Sequence, residues 1–325
     1  METSCDELDA TISTNPFHND LYIPLVISCL CFAMLCFVTS SITGNYSQVD
    51  KLWSVTPVVY AWICAVDTRT YVMATLVTVW GIRLSFNFYR RGGYPSNILK
   101  FWHGEEDYRW AVLQRGDVMP GKLFKLLKYK VVWVVFNVIF ICLYQHFLLL
   151  WIVSPSLVAA AYGVSTACDN SNEVLYSDKL NVLDVVASVG MIVFILLEGI
   201  ADNQQFSFQQ EKYRRRNSGE ELGKEYEAGF YRNGLFAIVR KPNYTSEQMI
   251  WITYYLFSVA ATNGRKIFNW SSIGFVMLVL LFQGSGWMTE MITVQKYPKY
   301  ADYQQNTPLY LPNFFWLLAE KKKLS

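Results

Sequence analysis

The residues able to do chemistry in this chain are polar groups placed where polar groups are expensive. Glu198 and Asp202 stand in the run Glu198-Gly-Ile-Ala-Asp202-Asn203-Gln204-Gln205, at the end of an apolar stretch. A spacing of four puts both carboxylates on one helix face. Arg83 lies inside another apolar stretch, Glu290 near the end of a third, and Glu247 at the start of a fourth. Ionisable groups inside membrane segments are functional candidates by default. For Arg83 and Glu290 the ordinary alternative is snorkelling to the interface; carboxylates one turn apart reach less far.

A second cluster is Gly234-Leu-Phe-Ala-Ile-Val-Arg240-Lys241-Pro242-Asn243-Tyr244-Thr245-Ser246-Glu247. Arg240 and Lys241 can hold phosphates, an arginine bidentately. Tyr244 can stack on a base or a nicotinamide. Asn243 can read an amide through its paired donor and acceptor. A charged loop beside a membrane helix, with Pro242 at its turn, is the plainer alternative. A third cluster follows Glu290: Tyr297-Pro-Lys-Tyr300-Ala-Asp302-Tyr303, then Asn306-Thr307-Pro308-Leu-Tyr310-Leu-Pro312. Its alternative is an interfacial aromatic belt.

Other chemistries find no footing. Three histidines, far apart in sequence, and no Cys-x-x-Cys give no metal framework. No Gly-x-Gly-x-x-Gly follows a strand, and no phosphate-binding P-loop or Gly-x-Ser-x-Gly elbow occurs. A net charge of +2 gives no footprint for nucleic acid.

The elements that must position these groups are membrane helices. Of the 325 residues, 53% are hydrophobic and 17% charged, against about 25% charged in soluble domains. Apolar stretches run over 21–43, 53–66, 71–89, 131–153, 183–200, 246–261 and 273–291. A helix needs about 20 apolar residues to cross a bilayer; the second stretch is short and holds Pro57. Segment 90–130 carries nine Lys or Arg and segment 202–241 carries eight, whereas 154–182 carries one. Basic loops stay cytoplasmic. The expectation is an all-α, polytopic membrane protein of about seven transmembrane helices, N-terminus lumenal and C-terminus cytoplasmic. It divides into an acidic lumenal head over 1–20, one membrane domain over 21–312 and a basic tail over 313–325. Within the domain the N-terminal half serves the substrate and about 183–312 the cofactor. Lys322 and Lys323 match a dilysine signal for the endoplasmic reticulum. Sequons at Asn45, Asn243 and Asn269 are poorly placed for glycosylation. The oligomeric state is left open.

Taken in order, the clusters resemble the steroid 5-alpha-reductase superfamily, most closely its widespread branch that carries a domain of unknown function. The likeness runs from about Val49 to Pro312. It includes Val49-Asp50-Lys-Leu-Trp53-Ser54-Val-Thr-Pro57, Trp80-Gly-Ile-Arg83-Leu, Asp107-Tyr108-Arg109, the box at 240–247 and Tyr297-Pro-Lys-Tyr300-x-x-Tyr303-x-x-x-Thr307. The resemblance implies seven helices and NADPH held by the C-terminal half. Asp202, Asn243 and Glu247 would match cofactor contacts, with Glu198 beside them; Arg240, Lys241, Tyr244, Glu290 and Tyr297 complete the expected cofactor set. Arg214, Arg215 and Arg216 would add cations for a 2′-phosphate. The implied reaction reduces a carbon–carbon double bond conjugated to a carbonyl in a small hydrophobic substrate. A donor on the carbonyl oxygen stabilises the enolate as its charge develops.

Lys241 replaces the box histidine, which keeps the cation. The Gln-Glu-Leu-Pro stretch and the tyrosine that hold the steroid ketone are absent; Asp50 and Trp80 stand near those places. Asp50 is therefore the expected polariser, supported by Arg83, since an enclosed carboxyl can stay protonated and donate a hydrogen bond. Two alternatives remain. One is an isoprenylcysteine-type methyltransferase using S-adenosylmethionine, from which Asn243 and the position of Glu247 differ. The other is a membrane scaffold without activity.

Overall fold

The computed structural model describes residues 20–95, 97, 100–116, 121–122, 124–164 and 179–312. The acidic residues of the head before Asp20 and the dilysine pair lie outside the described residues. Within them, regular structure is helical throughout.

In chain order the helices are α1 (Tyr22–Thr43), α2 (Gln48–Trp53), α3 (Thr56–Ile63), α4 (Thr68–Arg90) and α5 (Tyr108–Arg115). Next come α6 (Lys130–Phe136) and α7 (Gln145–Val164), joined through a π-helical segment, Asn137–Tyr144. The remainder are α8 (Val182–Ser218), α9 (Lys224–Glu227), α10 (Pro242–Ala260), α11 (Ser272–Lys296) and α12 (Tyr300–Asn306). Among the described residues, four continuous helical runs are long and apolar enough to cross a membrane: Tyr22–Thr43, Lys130–Gly163, Val182–Ser218 and Ser272–Lys296. The chain is a multi-pass, all-α membrane protein.

The faces of α1 show why. Ile23, Ile27, Leu30, Met34, Val38 and Ile42 form an exposed stripe, while Leu25, Cys29, Ala33, Cys36 and Ser40 form a buried one. A helix apolar on both faces wants hydrocarbon on its outer side, and small residues on the inner side let neighbours approach. Asn137 donates from Nδ2 to Ser40 Oγ at 3.1 Å on that inner face.

The second apolar stretch does not form the single helix expected over 53–66. Helix starts earlier, at Gln48, stops after Trp53 and restarts at Thr56. Pro57, without an N–H, is placed in the first turn of α3, where that group would have no partner. Gly81 of α4 reinforces the break: a Cβ there would stand 2.7 Å from both the Ser54 carbonyl oxygen and a Val58 methyl. The Trp80-Gly81 pair is thus partly a packing device, with Trp80 fully buried and edge-on to Trp251 at 4.9 Å.

Two compact units divide the chain. Met1–Ile192 with Ile250–Val279 make the first, and Val193–Met249 with Leu280–Ser325 make the second. The first is tied by a buried ion pair, Arg69 Nε to Asp184 Oδ1 at 2.7 Å, which joins the starts of α4 and α8. The second has an aromatic core of Phe230, Tyr300 and Tyr303 with Ala228, flanked by Val294 and Tyr297.

Candidate functional site

In the second unit the carboxylates expected to meet a cofactor are withdrawn from the lipid face. Along α8, Val182, Val185, Val189, Val193, Leu196 and Ile200 are exposed, while Ala187, Met191, Ile195, Glu198, Ala201 and Asp202 lie on the buried stripe. Glu198 is 5% exposed and Asp202 3%. Snorkelling does not describe them. Glu247, 4% exposed, sits in the second turn of α10. Asn243 is one turn earlier and half-buried, so the two share a face of that helix. Tyr244 meets Phe282 edge-on at 4.8 Å, and Lys241 Nζ lies 5.6 Å from the centre of the Tyr244 ring.

Arg240 has a different setting from a cation waiting for a phosphate. Its Nε and Nη2 reach Glu290 Oε2 at 3.0 and 2.8 Å, and its Nη1 donates to the carbonyls of Gln304, at 2.9 Å, and Thr307. Tyr300 donates its hydroxyl to Glu290 Oε1, and Gln304 Nε2 donates to Oε2 at 2.7 Å. Backbone bonds continue the seam: the Arg240 and Lys241 N–H groups donate to the carbonyls of Pro308 and Leu309 at 2.8 and 3.1 Å. Thr245 Oγ1 donates to the Tyr310 carbonyl at 2.9 Å, and Tyr303 donates to the Phe236 carbonyl. The third cluster is therefore a strap across the second, held by one buried ion pair. Burial pushes the Tyr300 and Tyr303 phenols up.

Of the arginines expected to add cations for a 2′-phosphate, Arg214 and Arg215 are engaged in ion pairs. Arg214 pairs with Glu211 at 2.8 Å and Glu220 at 2.7 Å, and Arg215 with Glu211 at 2.7 Å. Arg216 and Arg232 are exposed. Tyr297 packs near Phe230 at 6.4 Å, with Lys212 Nζ 5.6 Å from its ring centre.

In the first unit Asp50 opens α2, and the chain near 102–110 folds over it. Asp107 N–H donates to Ser47 Oγ at 2.8 Å, Tyr46 N–H to Glu106 Oε1 at 2.6 Å, and Gln48 Nε2 to the Trp102 carbonyl at 2.9 Å. Trp110 Nε1 donates to Asp50 Oδ2 at 2.9 Å, and Arg109 Nη2 stands 3.9 Å from Oδ1. Burial pushes the Asp50 carboxyl up, against the pull of Arg109. Arg109, Trp110 and Ser47 thus face Asp50. Arg83 was the expected support; it lies half-buried on α4. The Asp107-Tyr108-Arg109 segment was the available signal, but nothing in its spacing ties it to Asp50, sixty residues away.

Lys51, beside Asp50, was not singled out from the sequence. It is 0% exposed, and its ammonium donates to Gln48 Oε1 at 3.2 Å. Burial lowers its pKa to about 8.

Comparison with known proteins gives a family without a chemistry. An uncharacterized protein of Schizosaccharomyces pombe, C594.04c, is 28% identical over 319 residues, covering 94% of this chain and 82% of that protein. No solved structure matches the chain. The family described as protein of unknown function, DUF1295, matches residues 36–307, and the chain belongs to that family.

Proposed function

We propose that this protein is a membrane-bound, NADPH-dependent reductase of a carbon–carbon double bond conjugated to a carbonyl in a lipid-like substrate. The proposal includes the seven-span topology, with α3, α4 and α10 embedded alongside the four long runs. It also includes residence in the endoplasmic reticulum and kinship with the steroid 5-alpha-reductases.

The observation that carries the reading is the burial of three carboxylates, with a half-buried amide beside one of them, on two helix faces of the second unit: Glu198 and Asp202 on α8, Glu247 and Asn243 on α10. Ribose hydroxyls are donors that carboxylates read in dinucleotide sites. Asn243 would read the carboxamide, and the Tyr244 ring offers a stacking face. Lys241 is the box cation placed outside the Glu290 pair. The donor set fits a dinucleotide best at its riboses and amide. When bound, NADPH would supply the hydride. In the first unit Asp50, held toward its neutral form by burial, is a carboxyl able to donate a hydrogen bond to a carbonyl oxygen.

The test is a search for small molecules that copurify with the detergent-solubilised chain, followed by titration with NADPH and with S-adenosylmethionine. The reading expects NADP(H), lost in Asn243→Ala and Glu247→Ala with folding intact. Retention of S-adenosylmethionine instead would make the chain a methyltransferase. Binding of neither by a folded protein would leave it a scaffold.

A further inference from the structure

Between α5 and the membrane run that opens at Lys130 lies a 3₁₀ helix, Phe124–Lys128. It packs on both α5 and α6. Gly116 lets it close on the end of α5: its φ is +69°, and a Cβ there would stand 2.9 Å from the Phe124 carbonyl oxygen. At the other end the Tyr129 N–H donates to the Leu126 carbonyl at 3.0 Å, and the Trp133 N–H of α6 donates to the Tyr129 carbonyl at 2.9 Å. The 3₁₀ helix is thus held on a fixed frame at the mouth of the membrane run.

A period of three residues sorts its side chains into rows. Phe124, half-buried, and Leu127, buried, form the inward row. Lys125 and Lys128 form a second row and are exposed, as are Lys122, three residues earlier, and Lys130, at the start of α6. Leu126, continued by Tyr129, forms the third; both are exposed although largely apolar. Lys128 Nζ lies 5.2 Å from the centre of the Tyr129 ring, so the basic and apolar rows adjoin. Residues 118–168 hold no Asp or Glu. None of the ion pairs among the described residues engages these four lysines.

Water suits the basic row and not the apolar one. The interface of a bilayer suits both. The chain continues at once into the exposed Val131, Val134 and Val135 of α6, the outer face at the start of the membrane run. The rows therefore stand at the level of the headgroups. A tyrosine ring settles at that level, and a lysine stem lies along apolar surface while its ammonium reaches outward. Four ammonium groups without a protein carboxylate attract negative charge, and lysines clustered just outside a membrane helix draw anionic lipids. We propose that Lys122, Lys125, Lys128 and Lys130, with Leu126 and Tyr129 inserted beside them, bind the headgroups of anionic phospholipids. The site is independent of the proposed reductase activity and stands even in a chain that binds no cofactor.

The full chain is placed in nanodiscs of phosphatidylcholine with phosphatidylserine as the minor component, and the lipids it retains on release are counted by native mass spectrometry. Wild type should retain phosphatidylserine well above its share of the bilayer. Replacing all four lysines by Gln should remove that enrichment, and Lys125→Gln alone should lower it by up to about fivefold. Leu126→Gln combined with Tyr129→Gln keeps the charge and should lower it too. A control in which Lys224, Arg232, Lys296 and Lys299, four exposed cations of the second unit, are replaced by Gln should keep it. Enrichment that survives loss of the four lysines, or that falls equally in the control, would overturn the proposal. So would its displacement by inorganic phosphate at the concentration of the lipid, which would mark a site for a soluble anion.

Discussion

Arg240 and Glu290, fifty residues apart, meet in a buried pair, with Nη2 of the arginine 2.8 Å from Oε2 of the carboxylate. Both sides of the pair take further hydrogen bonds from the segment 300–307. The pair is therefore the fastening of the strap over the 240–247 box. Removing one partner of a buried pair strands the other charge, at a cost of about 3–5 kcal/mol. Glu290→Ala should lower the unfolding temperature sharply and speed amide exchange at Arg240 and Lys241, whose N–H groups bond to Pro308 and Leu309. Glu290→Gln keeps acceptors for Arg240 and should lose less. Unchanged exchange at those two amides in Glu290→Ala would mean that the strap holds without its ion pair.

Lys51 gives a pH signature. Its pKa in the folded chain is about 8, below the ordinary lysine value, because burial penalises the ammonium. Between these two values the unfolded chain binds more protons than the folded one, so stability rises with pH through that window. Below pH 8 the burial cost is fully present. Lys51→Met removes the titrating group and fits a buried site. Its unfolding temperature should depend less steeply on pH from about 8 to 10 than that of the wild type. Equal slopes would place the ammonium in contact with water.

For Asp50 the sign is opposite. Burial raises its folded pKa above the unfolded value, so its contribution to stability is present at low pH and lost as pH rises through the folded pKa. Trp110 donates to the charged form, and removing that bond in Trp110→Phe should raise the pKa further. The infrared band of the protonated carboxyl, assigned by its loss in Asp50→Asn, reports this without any assay of activity. The band should persist to higher pH in Trp110→Phe than in wild type. If the reductase reading holds, the alkaline limb of the rate profile moves with it.

Four of the apolar stretches marked in the sequence lie in helices long and apolar enough to cross a membrane, because length and hydropathy are legible without tertiary contacts. The sequence also showed Glu198 and Asp202 on one face, and the buried stripe of α8 bears that spacing out. Hidden from it was the break between α2 and α3, which depends on Gly81 receiving the Ser54 carbonyl from another helix. The partners of Arg240 were equally hidden. An arginine beside a lysine reads as a phosphate clamp until a glutamate fifty residues on is known to fill its fork. The Arg214 and Arg215 pairs with Glu211 and Glu220 were open to local reading, since their spacing is three to six residues. Trp110 and Arg109 escaped because a loop closure carries them to Asp50.

Gly229 provides a test of how tightly the second unit packs. Its φ is +81°, a left-handed conformation that costs other residues about 1–2 kcal/mol. A Cβ there would also stand 2.1 Å from the Tyr297 ring. Its carbonyl accepts from Lys212 Nζ at 3.0 Å, and that ammonium lies 5.6 Å from the centre of the same ring, so the ring has little freedom to yield. Gly219 has a similar φ of +70° but open space around it. The substitution Gly219→Ala should therefore cost only the backbone strain. Gly229→Ala should cost that and the displacement of Tyr297, giving a visibly larger fall in unfolding temperature under the same conditions. Because Tyr297 packs beside Phe230, the larger loss should come with altered near-ultraviolet circular dichroism, which Gly219→Ala leaves alone. Equal losses in the two variants would show that Tyr297 swings aside freely and is no fixed wall of the site.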